Sequence, residues 1–131
     1  MHTILNQAEV RSLGIAAPPA VVHAYLSDGR NLPAWAPAFA SRVRASGGSW
    51  VIGRDNVEFT IDVLAEAPAG TVDFVAPGDH ARGLYARVLP NGEGSELLFA
   101  IMFAPDTPED VVAAQTLTLE TELAAVRDAC E

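Results

Sequence analysis

Apolar and polar side chains alternate along the middle of the chain, from residue 40 to residue 103. The clearest run has an apolar side chain at every second position: Val57, Phe59, Ile61 and Val63. A period of two residues is typical of β-strands that bury one face. Short clusters of Gly, Pro, Asn and Asp interrupt this pattern about every ten residues, as hairpin turns do. The region is therefore predicted to form an antiparallel meander of about six strands.

A strand and two short helices are predicted before this region. Residues 8–15 are mixed and partly alternating, as in an opening strand, and Pro18 suits the first turn of a helix that runs to Ser27. Four side chains of this helix are predicted to turn inward: Val21, Val22, Tyr25 and Leu26. Residues 32–39 place three apolar anchors among two prolines. This composition predicts a turn or two of chain that caps something apolar.

A long helix is predicted at the C-terminal end. Thr107 offers an N-cap hydroxyl and Pro108 suits the first helical position. Inward positions then recur at spacings of three and four along about 20 residues: Val112, Thr116, Leu119, Leu123 and Val126. These elements predict a single α+β domain over residues 1–131, in which the sheet wraps around the C-terminal helix. Incomplete filling between helix and sheet would leave a ligand pocket.

Charge and composition exclude several classes of function. The chain carries 17 acidic and 8 basic side chains, and its net charge of −9 repels nucleic acids and anionic lipids. Every basic residue is Arg, so no lysine nucleophile or phosphate-loop lysine exists. The longest apolar run, residues 97–104, is far shorter than the ~18 residues of a membrane span. Cys130 is the only cysteine, so no internal disulfide can form and a cytoplasmic location is predicted.

Two stretches of the chain resemble a known superfamily. Residues 14–28, with Pro18 and Pro19, and residues 31–37, with Trp35 and Pro37, resemble the opening of SRPBCC proteins. This group includes the START, birch-pollen-allergen-like and polyketide-cyclase/dehydrase proteins. The resemblance implies a helix-grip fold, with an antiparallel sheet of about seven strands around the C-terminal helix and a deep, mainly apolar cavity. Its members are carriers, cyclases, dehydratases and protein-binding modules, so the fold does not select one function.

The candidate pocket residues are mainly aromatic side chains of the predicted cap and strands: Trp35, Phe39, Phe59, Phe74, Tyr85, Arg87, Phe99 and Leu119. For each aromatic residue, packing in the core is the alternative. Trp35 lies in the predicted cap and is expected to close the pocket mouth, so Trp35→Ala should weaken binding of an apolar probe with little effect on stability. An inward Arg87 would bind a ligand carboxylate or enolate, whereas an outward Arg87 would form a surface ion pair.

Histidine is the remaining candidate for polar chemistry. The three histidines do not stand at metal-ligand spacings, so neither a metal site nor a cofactor is predicted. His80 lies in the predicted turn formed by residues 77–81, where it could act as an acid or base at the pocket mouth. The alternative is a solvated turn residue without a function.

Three functions fit these features. The first is binding of a hydrophobic or aromatic small molecule, similar to a lipid, a polyketide or another aromatic compound. The alternative is a polyketide cyclase or dehydratase, in which Tyr85, His80 or Arg87 would polarise a carbonyl or move a proton. A second alternative is a protein-interaction module with a filled core. A cavity of about 300 Å³ or more would distinguish the first two from the third.

The last predicted strand suggests self-association. Residues 97–103 are apolar on both strand faces, yet only one face of a helix-grip sheet meets the helix. Leu98, Ala100 and Met102, or their alternates, would then form an exposed apolar surface, which usually marks an interface. A homodimer is therefore predicted. The alternative is that the N-terminal segments or a curl of the strand cover this surface.

Overall fold

Eleven elements of regular structure follow one another along the chain. The computed structural model describes residues 3–131, so His2 and the start of the predicted domain lie outside the described residues. The strands and helices are β1 (Gln7–Ile15), α1 (Pro19–Ser27), a 3₁₀ turn (Gly29–Asn31), α2 (Leu32–Trp35), β2 (Arg42–Ser46), β3 (Ser49–Arg54), β4 (Val57–Glu66), β5 (Thr71–Ala76), β6 (Asp79–Asn91), β7 (Gly94–Phe103) and α3 (Glu109–Cys130). The predicted α+β fold class is confirmed.

All seven strands belong to one antiparallel sheet, in the order β1-β7-β6-β5-β4-β3-β2. Strands β2 to β7 form the predicted meander. The first strand, β1, lies at one edge of the sheet, where it pairs with the last strand, β7. The core lies between one face of this sheet and the helices, because buried side chains of the strands and of α1, α2 and α3 form a single cluster. The helix-grip fold is therefore confirmed, with α3 as the gripped helix.

Alternation within the strands decides which side chains reach the core. On β6, Ala86 and Val88 are buried and belong to the core cluster. Tyr85 and Arg87 alternate with these two residues along the strand and therefore point to the outer face of the sheet. Strand β7 shows the same pattern, with Leu97 and Phe99 fully buried.

Helix α1 is rotated relative to the prediction. Val22 and Leu26 are fully buried as predicted, but Val21 is exposed and His23 is buried instead. The His23 ring lies 3.1 Å from the Thr71 carbonyl oxygen through Nε2 and 3.3 Å from the Ser27 hydroxyl through Nδ1. This contact with β5 satisfies a buried polar ring and attaches α1 to the sheet.

Helix α3 presents the predicted stripe to the core, and every residue of that stripe is buried. The predicted N-cap is wrong: Pro108 occupies the cap position, and no side chain caps the helix. Proline cannot donate a hydrogen bond, so this start leaves no donor unsatisfied at that position. Glu122 lies on the same buried face as the stripe. No helix of residues 3–131 is long and apolar enough to span a membrane.

Candidate functional site

A cavity of about 760 Å³ lies within the core on the side of α2. Its walls come from α2 and the turn after it, from strands β3 to β7, and from the second turn and the middle of α3. The cavity-lining side chains include Leu32, Trp35, Ala38, Phe39, Arg54, Phe59, Phe74, Arg82, Leu84, Ile101, Gln115, Thr118, Leu119 and Glu122. A cavity of this size falls within the range of small-molecule sites, about 300–1,000 Å³.

Aromatic rings form a large part of the wall. Trp35 meets Phe74 edge to face with the ring centroids 5.4 Å apart, and Phe39 meets Phe59 in the same way at 5.4 Å. Phe99 contacts Trp35 at 5.6 Å from within the core. Such edge-to-face pairs stabilise the arrangement of the rings beyond the burial of their surface.

Trp35 is a wall residue and not an exposed cap over the mouth. Only 1% of its surface is exposed, so the expected effect of Trp35→Ala changes from a small loss of stability to a large one. Removing a buried Trp costs about 3–5 kcal/mol, because the helix that carries it cannot collapse fully into the space. Its indole Nε1 is buried without a hydrogen-bond partner among the described residues.

The structure brings five of the eight predicted pocket residues together. Trp35, Phe39, Phe59, Phe74 and Leu119 all line the cavity. Phe99 does not line it and packs fully buried behind Trp35, as the alternative of core packing described.

Two predicted pocket residues lie on the face of the sheet that points away from the cavity. Tyr85 and Arg87 do not line the cavity, because strand alternation turns both to the outer surface. There Arg87 donates to the Asp73 carboxylate at 2.8 Å across β5 and β6. The outward alternative, a partly exposed ion pair, is the one that occurs.

His80 lies outside the cavity as well. It is exposed at the start of β6, and its backbone carbonyl accepts a hydrogen bond from the Tyr85 hydroxyl. The imidazole itself forms no hydrogen bond to the described residues. Its neighbours Ala81 and Arg82 do line the cavity, so His80 stands next to the site without belonging to its wall.

Glu122 is the ionisable group that the sequence analysis missed. It lines the cavity from α3 with 8% of its surface exposed. Burial raises the pKa of its carboxyl from 4.5 to about 7, since an apolar surrounding penalises the charged form. A group that changes charge near neutrality inside a cavity is a typical feature of functional sites.

The sequence contains a signal for this group. Glu122 follows Leu119 by three positions and precedes Val126 by four, which is the spacing of the buried stripe. With Gln115 and Thr118 it forms a polar row along one side of α3. This row passes from the exposed Gln115 through the half-buried Thr118 to the buried Glu122.

A β-bulge shapes the opposite wall. The register of β5 and β6 shifts between Val75 and Ala76, where both residues line the cavity. Gly83 lies at the same place, and a Cβ there would collide with the Phe74 carbonyl oxygen. Bulges bend a strand locally and re-aim its side chains. Arg82 precedes Gly83 on β6 and is one of two exposed arginines in the lining; the other, Arg54, comes from β3.

A metal centre or a further depression would be the alternative site in the described part of the chain. Within residues 3–131 no three His, Cys, Asp or Glu side chains are grouped to hold a metal ion. A second depression of about 590 Å³ lies between β1 and α3, where Arg11 contacts Glu120 at 3.4 Å. Its one buried polar side chain, Thr116, donates its hydroxyl to the Val112 carbonyl and so has a partner already.

Solved structures share this fold at low sequence identity. The Aha1 dimer from Colwellia psychrerythraea superposes with a TM-score of 0.72 at 14% identity, covering 95% of this chain and 96% of that one. A START superfamily protein from Mycobacterium smegmatis gives 0.70 at 14% identity, covering 94% and 96% of the two chains. DynU16, a protein of the dynemicin biosynthetic locus, gives 0.66 at 18% identity, covering 92% of this chain and 46% of that one.

No family model and no curated protein matches the chain. At these identities the structural likeness shows the fold alone. The chemistry of the cavity must therefore be argued from its own residues.

Proposed function

This chain has an SRPBCC-type helix-grip fold, and we propose that it binds a hydrophobic or aromatic small molecule in the cavity between the sheet and α3. The cavity itself carries the proposal. Its volume of about 760 Å³ suits a small ligand, and its walls combine aromatic rings with one buried carboxyl. A protein-interaction module with a filled core would contain no such space. The fold shared with a START superfamily protein and with a protein of the dynemicin biosynthetic locus supports the same function.

A cavity-blocking variant tests this function directly. Ala38 is exposed at the rim and lines the cavity, so Ala38→Trp should obstruct it without disturbing the buried core. Ala34 is an exposed alanine four residues earlier that does not line the cavity, which makes Ala34→Trp the matched control. Titration calorimetry with a neutral naphthalene dye measures the binding.

The wild type and Ala34→Trp are expected to bind the dye with equal affinity, and Ala38→Trp about tenfold more weakly, since the indole occupies ligand space. Equal affinity in all three proteins would contradict the proposal. Native mass spectrometry of the freshly purified protein adds an independent readout. A co-purifying small molecule that is absent from Ala38→Trp would identify the ligand class.

Acid–base catalysis is the second candidate, and Glu122 is the observation that favours it. A carboxyl with a pKa of about 7 is matched to proton transfer at neutral pH. The residues expected to serve a cyclase or dehydratase, Tyr85, His80 and Arg87, lie outside the cavity. Exchange of α-protons for deuterium in a cavity-bound aromatic ketone would be measured by NMR. Catalysis predicts exchange that is lost in Glu122→Gln and retained in Glu120→Gln.

We also propose that the protein acts in the cytoplasm as a homodimer. On the outer sheet face Ala8 lies opposite Met102 and Val10 lies opposite Ala100, with Leu98 next to them on β7. Met102 is 44% exposed and Val10 is exposed as well, so the patch is apolar and open. One fold neighbour is itself described as a dimer. Sedimentation at micromolar concentration should show a dimer that Met102→Glu splits, and a 13.8 kDa wild-type species would reject it.

A further inference from the structure

We propose that the ligand is an organic cation, an amine on an aromatic or aliphatic body, which pairs with the Glu122 carboxylate inside the aromatic cavity. This inference rests on the proposed binding function and narrows its ligand class. It is carried by three observations: a buried carboxyl without a partner, two aromatic ring pairs in the same wall, and the absence of a cation near the carboxyl among the described residues.

Among residues 3–131, Glu122 is the one acidic residue that is buried, and its side chain has no partner there. Glu120 pairs with Arg11 at 3.4 Å, and Asp73 pairs with Arg87 at 2.8 Å. Only 8% of Glu122 is exposed, and among residues 3–131 no hydrogen bond or ion pair involves its carboxyl, whose oxygens face the open space of the cavity. A buried carboxylate is costly unless a cation or hydrogen-bond donors satisfy it. A ligand ammonium would supply that missing partner.

The arginines of the cavity lining do not fill this role. Arg54, from β3, donates from Nη1 to the Ala38 carbonyl at 3.3 Å. Arg82, from β6, is exposed, and neither guanidinium lies within ion-pair distance of Glu122. The remaining lining residues from α2, β4, β5 and β7 carry no charge. Burial is the only cause of the raised pKa of Glu122, which agrees with this separation.

The aromatic rings favour a cation over a neutral or anionic group. Trp35 with Phe74 and Phe39 with Phe59 line the same cavity as Glu122. Aromatic rings attract an ammonium through their quadrupole, most strongly when water is excluded. The net charge of −9 also raises the local concentration of cations around the protein. The aromatic walls and the carboxyl therefore both favour a cationic ligand.

The test compares two probes of the same shape. Naphthylmethylamine is a cation at neutral pH, and naphthylmethanol is its neutral counterpart. Titration calorimetry at pH 8 measures both against the wild type, Glu122→Gln and the control Glu120→Gln. The amine should bind the wild type about tenfold more tightly than the alcohol, and Glu122→Gln should remove that advantage. Glu120→Gln should retain it, because Glu120 lies outside the cavity lining.

The pH profile of the wild type provides a second measurement that needs no variant. An amine stays protonated below about pH 9, so the charge of the probe does not change near neutrality. Amine affinity should fall by about tenfold in total as the pH decreases below about 7 and then level off, once the carboxyl has taken up its proton. The affinity of the alcohol should stay level.

The outcomes separate this inference from the proposed function. Equal affinity for amine and alcohol, or an advantage that survives in Glu122→Gln, would overturn the amine inference while leaving cavity binding intact. Failure of both probes to bind would overturn both proposals.

Discussion

The two ends of the core are built from the same helix and sheet, yet one is filled and the other is hollow. At the filled end, Val22 and Leu26 of α1 and Leu123 and Val126 of α3 are buried almost completely within one cluster. One turn earlier on α3, Leu119 and its neighbours face a cavity of about 760 Å³. The difference lies in which short helix closes each end.

Helix α1 has nine residues and inserts two side chains between α3 and the sheet, while His23 attaches it to β5. Helix α2 has four residues, and of its side chains only Leu32 and Trp35 are buried. A single helical turn cannot present enough side chains to fill the same width of core. In this protein the cavity therefore lies beneath the shorter of the two covering helices.

Replacing leucines of α3 by alanine should have the largest effect on the free energy of unfolding, and the size of the effect should differ between the two ends of the core. Leu123→Ala is expected to cost about 3–5 kcal/mol, and Leu119→Ala about 2–3 kcal/mol, because a cavity-lining side chain already lacks neighbours on one side. Leu117→Ala, at a position 64% exposed, should cost less than about 0.5 kcal/mol. Urea titrations measure all three. A Leu119 cost equal to that of Leu123 would indicate a filled cavity, and one as small as that of Leu117 would contradict the helix-grip core.

The pH dependence of stability should report the buried carboxyl of the hollow end. Because the pKa of Glu122 is raised from 4.5 to about 7 in the folded protein, the folded state keeps a proton that the unfolded chain releases. Stability should therefore fall as pH rises from about 4.5 to about 7, by up to about 3 kcal/mol for this shift.

Urea titrations between about pH 5 and about pH 8 measure this effect as the difference between the wild type and Glu122→Gln. The variant should lack the decline, and Glu120→Gln should keep it. Parallel profiles of the wild type and Glu122→Gln would show that the carboxyl is solvated.

Removing the hydrogen bonds of His23, at the filled end of the core, should have an intermediate effect on the free energy of unfolding. His23→Leu keeps the approximate volume but removes the ring nitrogens that meet Thr71 and Ser27. A cost of about 1–3 kcal/mol is expected, since buried polar groups lose a partner. Dye binding should stay unchanged, because His23 lies outside the cavity lining. A loss of dye binding without a loss of stability would place His23 at the ligand site instead.

The outer-face ion pair should have the smallest effect. Arg87→Gln removes the contact with Asp73, which is partly exposed on both sides. The expected cost is below about 1 kcal/mol and should shrink further at high salt. Binding of the naphthalene dye should match that of the wild type. Weaker binding in this variant would revive the prediction that Arg87 serves the pocket.

Much of this architecture could be predicted from local patterns. Alternation predicted the strands, and the spacing of Val112, Leu119 and Val126 predicted the buried face of α3. These patterns are readable because a strand or helix repeats with a fixed period, so the sequence itself reports which residues share a face. The same alternation placed Tyr85 and Arg87 together on one face.

The tertiary structure decided which face meets the cavity and how completely each end is filled. Alternation pairs Arg87 with Tyr85, but only the position of α3 makes their face the outer one. The spacing of Glu122 matches the buried stripe, but only the short α2 leaves a hollow beside it instead of a packed wall. Trp35 was predicted to cap the pocket mouth, but the packing of α2 against the sheet buries it in the cavity wall. Periodicity is a property of neighbouring residues, whereas filled and empty volume depends on elements that are distant in the chain.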